Sequence, residues 1–491
     1  MNKSYYLRYL ESILWLVFGL AVIKSMYFLC KILQFIIVYP ATTTRPESFV
    51  LNGSLRYAMG LPIYIKPGSF PYITNVYNPF AYLPAGIIGR AFSSNVTLVM
   101  KSGKLLSYVS SLLLVGVGAL VVWESVKSLK AVIFSCVGII YFHLVTLSES
   151  FRIRPEPEGM LFSLSGVLVM LGKGKHRIYI GAMLFMIAFM FKQSFIAAPI
   201  SVFFYLLIKK EYRELIRFSM AMSIMLALFF LVMSVLTDGN YYLCAIKAMA
   251  VNNMVLWDNL RIVIPYLLIY LWPVLLSLLL CVYLYPMLEE RVNLLYVYFF
   301  TSLIWAIVSF SKDGAAEYYF SEFVIISLIV IGIFIGHMSI SEKYPHSFVR
   351  WLPIALFAVY IGVDVASNGV WEFVVPLPED GTVDISQYVN RYQEVAGEKL
   401  VFHERIAVHL GNPVGLDWYL LGILSNHNMI DMAPLSKKIA DGEYQLIVFS
   451  KQFITPIERQ FLTEVQNGPY KERFEDEYVM EYERVLSGGQ Q

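Results

Sequence analysis

The sequence predicts a polytopic α-helical membrane protein with about 11 transmembrane helices, a long first outer loop with juxtamembrane helices, and a small C-terminal α/β extracytoplasmic domain. Three observations point to the membrane part. Of 491 residues, 58% are hydrophobic and 15% charged, with mean hydropathy +0.61. A soluble chain of this length needs roughly a quarter charged residues to dress its surface. Apolar runs of crossing length recur as far as residue 366, and beyond Trp371 charge rises while the runs shorten to strand length.

A crossing helix needs about 20 mostly apolar residues. Candidate spans are 12–39, 104–124, 130–148, 157–171, 178–191, 195–209, 215–236, 262–285, 291–310, 317–336 and 349–366. The start, with Lys3 and Arg8 and no small-residue cleavage site after the apolar stretch, reads as a retained first span. Lys24 and Lys31 inside that span read as snorkelling or bundle-facing residues.

Short basic turns set the orientation. Lys173, Lys175 and Arg177 form one cluster, and Lys209, Lys210, Arg213 and Arg217 another. The positive-inside rule makes both cytoplasmic, which gives an inside N-terminus and an outside C-terminus. Pro79–Phe92 is too short to cross and would invert every later loop, so it is expected as a juxtamembrane helix on the outer surface. The chain then divides into a membrane module, 1–369, with residues 40–103 as its first outer loop, and an outer α/β domain, 370–491. In that domain 399–405 and 444–450 read as strands, 435–440 as part of a helix, and 456–468 as a helix stopped by Gly468. No repeat of fixed period and no low-complexity tract occurs.

Net charge is +2, so no global field argues for nucleic acid. Cys30, Cys136, Cys244 and Cys281 form no CxxC and no Cys/His cluster, and the histidines have no ligand spacing, so no metal site is expected from either.

Polar residues at the rim of a bundle are costly and are functional candidates. On the outer side the topology collects Arg45-Pro46-Glu47, GLPIY (60–64), PYITNVYNPFAYLP (71–84), FRIRPEPEG (151–159), Lys192-Gln193 and KDGAAEYYFSE (312–322). A carboxylate there can take a proton from an acceptor hydroxyl, while Arg and Lys hold a departing phosphate. Bland alternatives stand beside each. Glu47 could cap a surface helix. Arg152, Arg154 and Lys192 could snorkel. Glu156 and Glu158 could serve a helix N-terminus, Glu322 could make a structural hydrogen bond, and the loop tyrosines could pack.

Taken in order, Glu47, GLPIY (60–64), YNPFAYLP (77–84), RPEPE (154–158), FKQS (191–194) and KDGAAEYYFSE (312–322) resemble the bacterial GT-C superfamily of membrane glycosyltransferases, in particular the protein-mannosyltransferase and aminoarabinose-transferase-like group, glycosyltransferase family 39. HLGNPVGLDWYLLGIL (409–424) and IADGEYQLIVFS (439–450) extend the resemblance into the C-terminal region. It implies inverting transfer of a sugar from a polyprenyl-phosphate donor to an acceptor glycan, lipid or protein on the outer face of the inner (plasma) membrane. Glu47 would be the general base and Glu156 a second catalytic acid, standing where the family more often has Asp. Arg154, Lys192 and Lys312 would bind the donor phosphate. Tyr64, Tyr77, Tyr82, Gln193, Tyr319 and Glu322 would line the substrate cavity. The family often pairs Asp with Glu at the position of Glu47, and this chain has one acid there. Some relatives use a divalent cation and some do not, which leaves the cofactor open. The competing readings are a transporter or flippase, which predicts symmetry between halves that is not evident here, and a GT-C-shaped scaffold without activity.

Overall fold

The computed structural model describes residues 3–38, 44–145, 152–251, 254–284, 293–313, 315–340, 352–368, 385–411, 413–451 and 454–485. The expected domain boundary near 370, residues 40–43 of the first outer loop, and the expected span ends at 39, 146–148, 285, 291–292 and 349–351 lie outside the described residues.

The helices begin with α1 (Lys3–Val38), α2 (Arg45–Ala58), α3 (Leu83–Phe92), α4 (Val96–Val126) and α5 (Leu129–Gly138), which runs into a π-helical turn over Ile139–Val145. They continue as α6 (Glu156–Leu171), α7 (Arg177–Phe191), α8 (Ala197–Ile208), α9 (Tyr212–Leu236) and the short α10 (Ala248–Ala250). Then follow α11 (Leu256–Tyr270), α12 (Trp272–Leu284), α13 (Asn293–Phe310), α14 (Ser321–Ile340) and α15 (Leu352–Asn368). The C-terminal region runs α16 (Ser386–Gln393), β1 (Lys399–Val401), α17 (Glu404–His409), α18 (Trp418–Asn426), α19 (Ala433–Ala440), β2 (Leu446–Ser450), α20 (Pro456–Gln466), β3 (Tyr470–Glu475) and β4 (Val479–Arg484).

Among the described residues four helical stretches are long and apolar enough to cross a bilayer: Ser12–Val38, Val96–Val126, Tyr212–Leu236 and Tyr318–Met338. One bent pair raises that to five, and six further apolar helices are shorter. The chain is a multi-pass helical membrane protein with a small C-terminal mixed sheet. The expected span 262–285 requires correction. It is two helices, α11 and α12, bent by 83° around Leu271. Pro273, the second residue of α12, has no N–H to continue the ladder of α11.

The chain folds into two compact units. One comprises Met1–Val38, Lys104–Ala227 and Asn253–Gly381. Its core is α14, apolar on all sides and enclosed by α5, α12 and α13. Lipid offers no hydrophobic drive between helices, so close packing has to hold them. Gly166 of α6 lets the Phe185 ring of α7 lie where a Cβ would stand, and Gly159 does the same for Phe195. Phe18 of α1 stacks on Phe134 of α5 at 5.5 Å.

The second unit comprises Tyr39–Gly103, Leu228–Asn252 and Thr382–Gln491. Here α2 packs on α3, and Pro79–Phe92 forms a 3-10 turn followed by the ten-residue α3. The sheet has order β1-β2-β4-β3, with β1 and β2 parallel and the other pairs antiparallel. Its two faces are covered separately. Leu400, Phe402, Ile447 and Phe449 meet Trp418 and Phe461 on one side, while Val401, Leu446 and Val448 meet Tyr388 and Tyr392 on the other. The strand expected over 399–405 stops at Val401, because His403 and Glu404 open α17. Strand β2 and the helices expected around 435–440 and 456–468 are present, the last ending at Gln466.

Candidate active site

Each basic residue of the cluster in the first unit sits at a helix end. Pro155 stands just before the first residue of α6, so Arg154 is fixed at the entry to that helix and Glu156 becomes its first residue. Lys192 follows the last residue of α7 in extended conformation (φ −153°, ψ 132°). The turn behind it is pinned by Trp305, whose indole N–H donates to the Ser194 carbonyl at 2.6 Å.

These ends bring two cations onto one carboxylate. Lys192 Nζ donates to Glu156 Oε1 at 2.6 Å, and Arg154 Nη1 lies 3.8 Å from the same oxygen. All three side chains are buried. Tyr318 and Tyr319, stacked at 4.9 Å, cover the cations: Arg154 lies 4.4 Å from the Tyr318 ring centre and Lys192 Nζ 4.6 Å from that of Tyr319. Aromatic faces attract cations without neutralising them. Ser107 of α4 donates to the Arg154 carbonyl at 3.2 Å, and its hydroxyl lies 3.3 Å from Glu158 Oε1. The second carboxylate oxygens of Glu156 and Glu158 are buried and accept no hydrogen bond among the described residues. Such orphaned acceptors are costly unless water or a ligand meets them.

Lys312, Gln193 and Glu322 are the other candidates of this unit. The Lys312 backbone is fixed by Asn259, whose amide donates to the Lys312 and Phe310 carbonyls at 2.7 Å, and its half-buried ammonium makes no ion pair among the described residues. Gln193 follows Lys192 in the same turn. Glu322 accepts from the Tyr298 hydroxyl at 2.5 Å amid Leu114, Met160 and Leu164, so a structural hydrogen bond inside the bundle describes its surroundings.

In the second unit, Glu47 is buried in the first turn of α2, where Oε2 accepts the Thr44 N–H at 2.6 Å. That is one arm of a capping box. Burial lowers the pKa of the Arg405 guanidinium of α17, and the negative charge of Glu47 offsets part of that shift. The three loop tyrosines hold one another. Tyr64 donates to the Tyr77 carbonyl at 2.7 Å, and the Tyr77 N–H donates to the Tyr82 hydroxyl at 3.0 Å. Burial drives the Tyr64 and Tyr82 phenols well above their ordinary range.

Two features are not legible in the sequence: the part played by Tyr318 and, elsewhere in the bundle, the partner of Lys24. Tyr318 is one of two adjacent tyrosines, and nothing in the pattern chooses between them. Lys24 donates to Asp364 Oδ2 at 2.7 Å, and the Tyr141 hydroxyl donates to the same oxygen. The available signal is a pair of opposite charges inside apolar spans. Among the described residues no three His, Cys, Asp or Glu side chains are grouped so as to hold a metal ion.

No family model and no curated protein matches the sequence. Solved structures do. The chain is similar to ArnT from Cupriavidus metallidurans bound to undecaprenyl phosphate, at 12% identity and TM-score 0.62, over 94% of this chain and 99% of that one. It is also similar to the Archaeoglobus fulgidus oligosaccharyltransferase in its apo form, at 10% identity and TM-score 0.55, over 92% of this chain and 71% of that one. A third match, the archaeal oligosaccharyltransferase AglB from Archaeoglobus fulgidus in complex with an inhibitory peptide and a dolichol-phosphate, has 11% identity and TM-score 0.50, over 89% and 69% of the two chains. These likenesses span the membrane helices and the C-terminal sheet alike, and the chain shares the fold of these structures.

Proposed function

We propose that the chain is a membrane glycosyltransferase that moves a sugar from a polyprenyl-phosphate donor to an acceptor on the outer face of the membrane, with inversion. The observation that carries this reading is the convergence of Arg154 and Lys192 on Glu156 beneath Tyr318 and Tyr319. Two buried cations sharing one carboxylate have capacity left for an oxyanion, and Arg offers a fork that suits phosphate. The fold, shared with a protein solved with undecaprenyl phosphate and another solved with a dolichol-phosphate, supports the same donor class. The proposal includes about eleven crossings, an inside N-terminus and an outside C-terminus, as the basic turns require.

In this reaction the acceptor hydroxyl oxygen attacks the anomeric carbon as its bond to the phosphate oxygen breaks. The acceptor proton passes to a carboxylate, assigned to Glu47, and the electron pair of the broken bond leaves with polyprenyl phosphate. Arg154, Lys192 and Lys312 stabilise that departing charge. Glu156 orients Arg154 and Lys192 and tempers their charge so that product can leave.

One observation favours an inactive scaffold instead: Glu47 is engaged as a helix cap. Proteoliposomes supplied with a panel of labelled polyprenyl-phosphate sugars separate the two readings. The transferase reading expects consumption of at least one donor, reduced about a hundredfold or more in Glu47→Gln, in line with loss of a general base. Unchanged turnover in that variant removes the base assignment, and no consumption of any donor favours the scaffold.

A further inference from the structure

The turn that carries Lys192 is closed by its own backbone. The Lys192 N–H donates to the Ala188 carbonyl at 3.2 Å, the Phe195 N–H to the Lys192 carbonyl at 3.1 Å, and the Ile196 N–H to the Ser194 carbonyl at 2.9 Å. Ser194 then has one acceptor position left, since a carbonyl oxygen carries two lone pairs. Trp305 of α13 fills it, its indole N–H donating at 2.6 Å. That bond closes no turn, and what it does is tie the turn to another helix. A second tie runs to α6, where the Phe195 ring occupies the space in which a Cβ on Gly159 would stand. Gly159 lies one turn beyond Glu156 on that helix, so Lys192 and the carboxylate it meets are held close to the same contact. The aromatic cover is referred to α13 as well. Phe310, the last residue of α13, meets Phe320 at 5.5 Å, and Phe320 directly follows Tyr319.

We propose that Trp305 is a positioning residue for the transferase reaction, acting through the Ser194 carbonyl to hold the Lys192 ammonium between Glu156 and the Tyr318–Tyr319 pair. The inference rests on the transferase reading and adds to it a residue that works through Lys192. A lysine is a point charge on a flexible four-carbon stem, so where its backbone starts decides where its charge can stand. Lys192 Nζ lies 2.6 Å from Glu156 Oε1, 4.6 Å from the Tyr319 ring centre and 5.0 Å from that of Tyr318. Misplacing such a group by about 1 Å costs on the order of a hundredfold in rate. Trp305→Phe keeps an aromatic ring in the bundle and removes the N–H, which releases the turn from α13 and introduces no charge.

Wild type, Trp305→Phe, Lys192→Met and the double variant would be compared in proteoliposomes on one labelled polyprenyl-phosphate sugar that wild type consumes. Misplacing a group that meets charge in the transition state lowers kcat. Trp305→Phe should therefore lose about tenfold in kcat, with the donor KM within about twofold of wild type. In the Lys192→Met background the same substitution should cost less than about twofold, because no ammonium is left to place. A general loosening of the bundle would lower both backgrounds alike, so the comparison separates positioning from a structural role. Phe195→Leu, which removes the second tie, should show the same pattern and keeps the test intact if Trp305→Phe misfolds. An undiminished kcat, a change confined to KM, or an equal loss with and without Lys192 would overturn the proposal and leave the transferase reading standing. No turnover of any donor by wild type would remove both.

Discussion

Two lysines buried in the helical bundle are each held by one carboxylate: Lys24 by Asp364 at 2.7 Å and Lys192 by Glu156 at 2.6 Å. Exposed pairs such as Lys127 with Glu124 contribute little, because solvent screens them. Buried pairs differ, since losing one partner strands the other charge in a poor solvent. Asp364→Asn should therefore destabilise the protein by about 3–5 kcal/mol, and the Lys24→Met/Asp364→Leu pair should recover much of that loss. Unfolding in detergent, followed by tryptophan fluorescence, reads both. A single variant as stable as wild type would show that the ion pair contributes nothing. Glu156→Gln keeps an acceptor for Lys192 but removes the charge, and should cost about 1.5–3 kcal/mol in the same measurement. Arg154, Glu156 and Lys192 are legible in the sequence because charges beside prolines and helix ends stand out against apolar runs. The pairing of Lys24 is not, since its partner lies 340 residues away and hydropathy gives no azimuth.

Helix positions are easier to foresee than helix shapes. Apolar composition locates α14 and α9, yet it is blind to the 83° break between α11 and α12, although Pro273 stands in plain view. Strands β3 and β4 leave no apolar signal because YKERFE and VMEYER are dominated by charged residues, and β3 is exposed along most of its length. At the contact of α6 and α7, Gly166→Leu would drive a side chain into the space of the Phe185 ring. Separating these helices should cost about 1–3 kcal/mol or more, seen as a lower melting temperature. An unchanged value would mean that the two helices are not clamped there.

The β3–β4 turn carries a pH dependence. Burial raises the Asp476 pKa, but the Tyr388 hydroxyl, the N–H groups of Val479 and Tyr478, and Arg391 together outweigh it and hold the group below the ordinary carboxylate value. A folded-state pKa below the unfolded one gives stability that is present above the unfolded value of 3.8 and lost as pH falls through the folded one. Asp476→Asn should flatten that acid limb of the unfolding curve, by a small amount because solvent still reaches the half-buried group. An identical limb in the variant would remove Asp476 as its source.

At the scale of the molecule, the fold class is legible because lipid-facing surface leaves a compositional mark that soluble proteins lack. The expected topology rests on two basic turns, and the family resemblance on the order of short motifs. What the residues do not disclose is commitment. Glu47 and the loop tyrosines carry the types a site needs, yet they are engaged in a helix cap and in one another. Of the candidates, Arg154, Glu156 and Lys192 are the ones gathered as a phosphate site would gather them. Consumption of a labelled polyprenyl-phosphate sugar by the protein in liposomes, wild type beside Arg154→Met/Lys192→Met, tests this most directly. The account predicts turnover by wild type and a loss of about a thousandfold in the double variant, the scale of removing a transition-state charge contact. Equal turnover in both, or none in wild type with any donor, would contradict it.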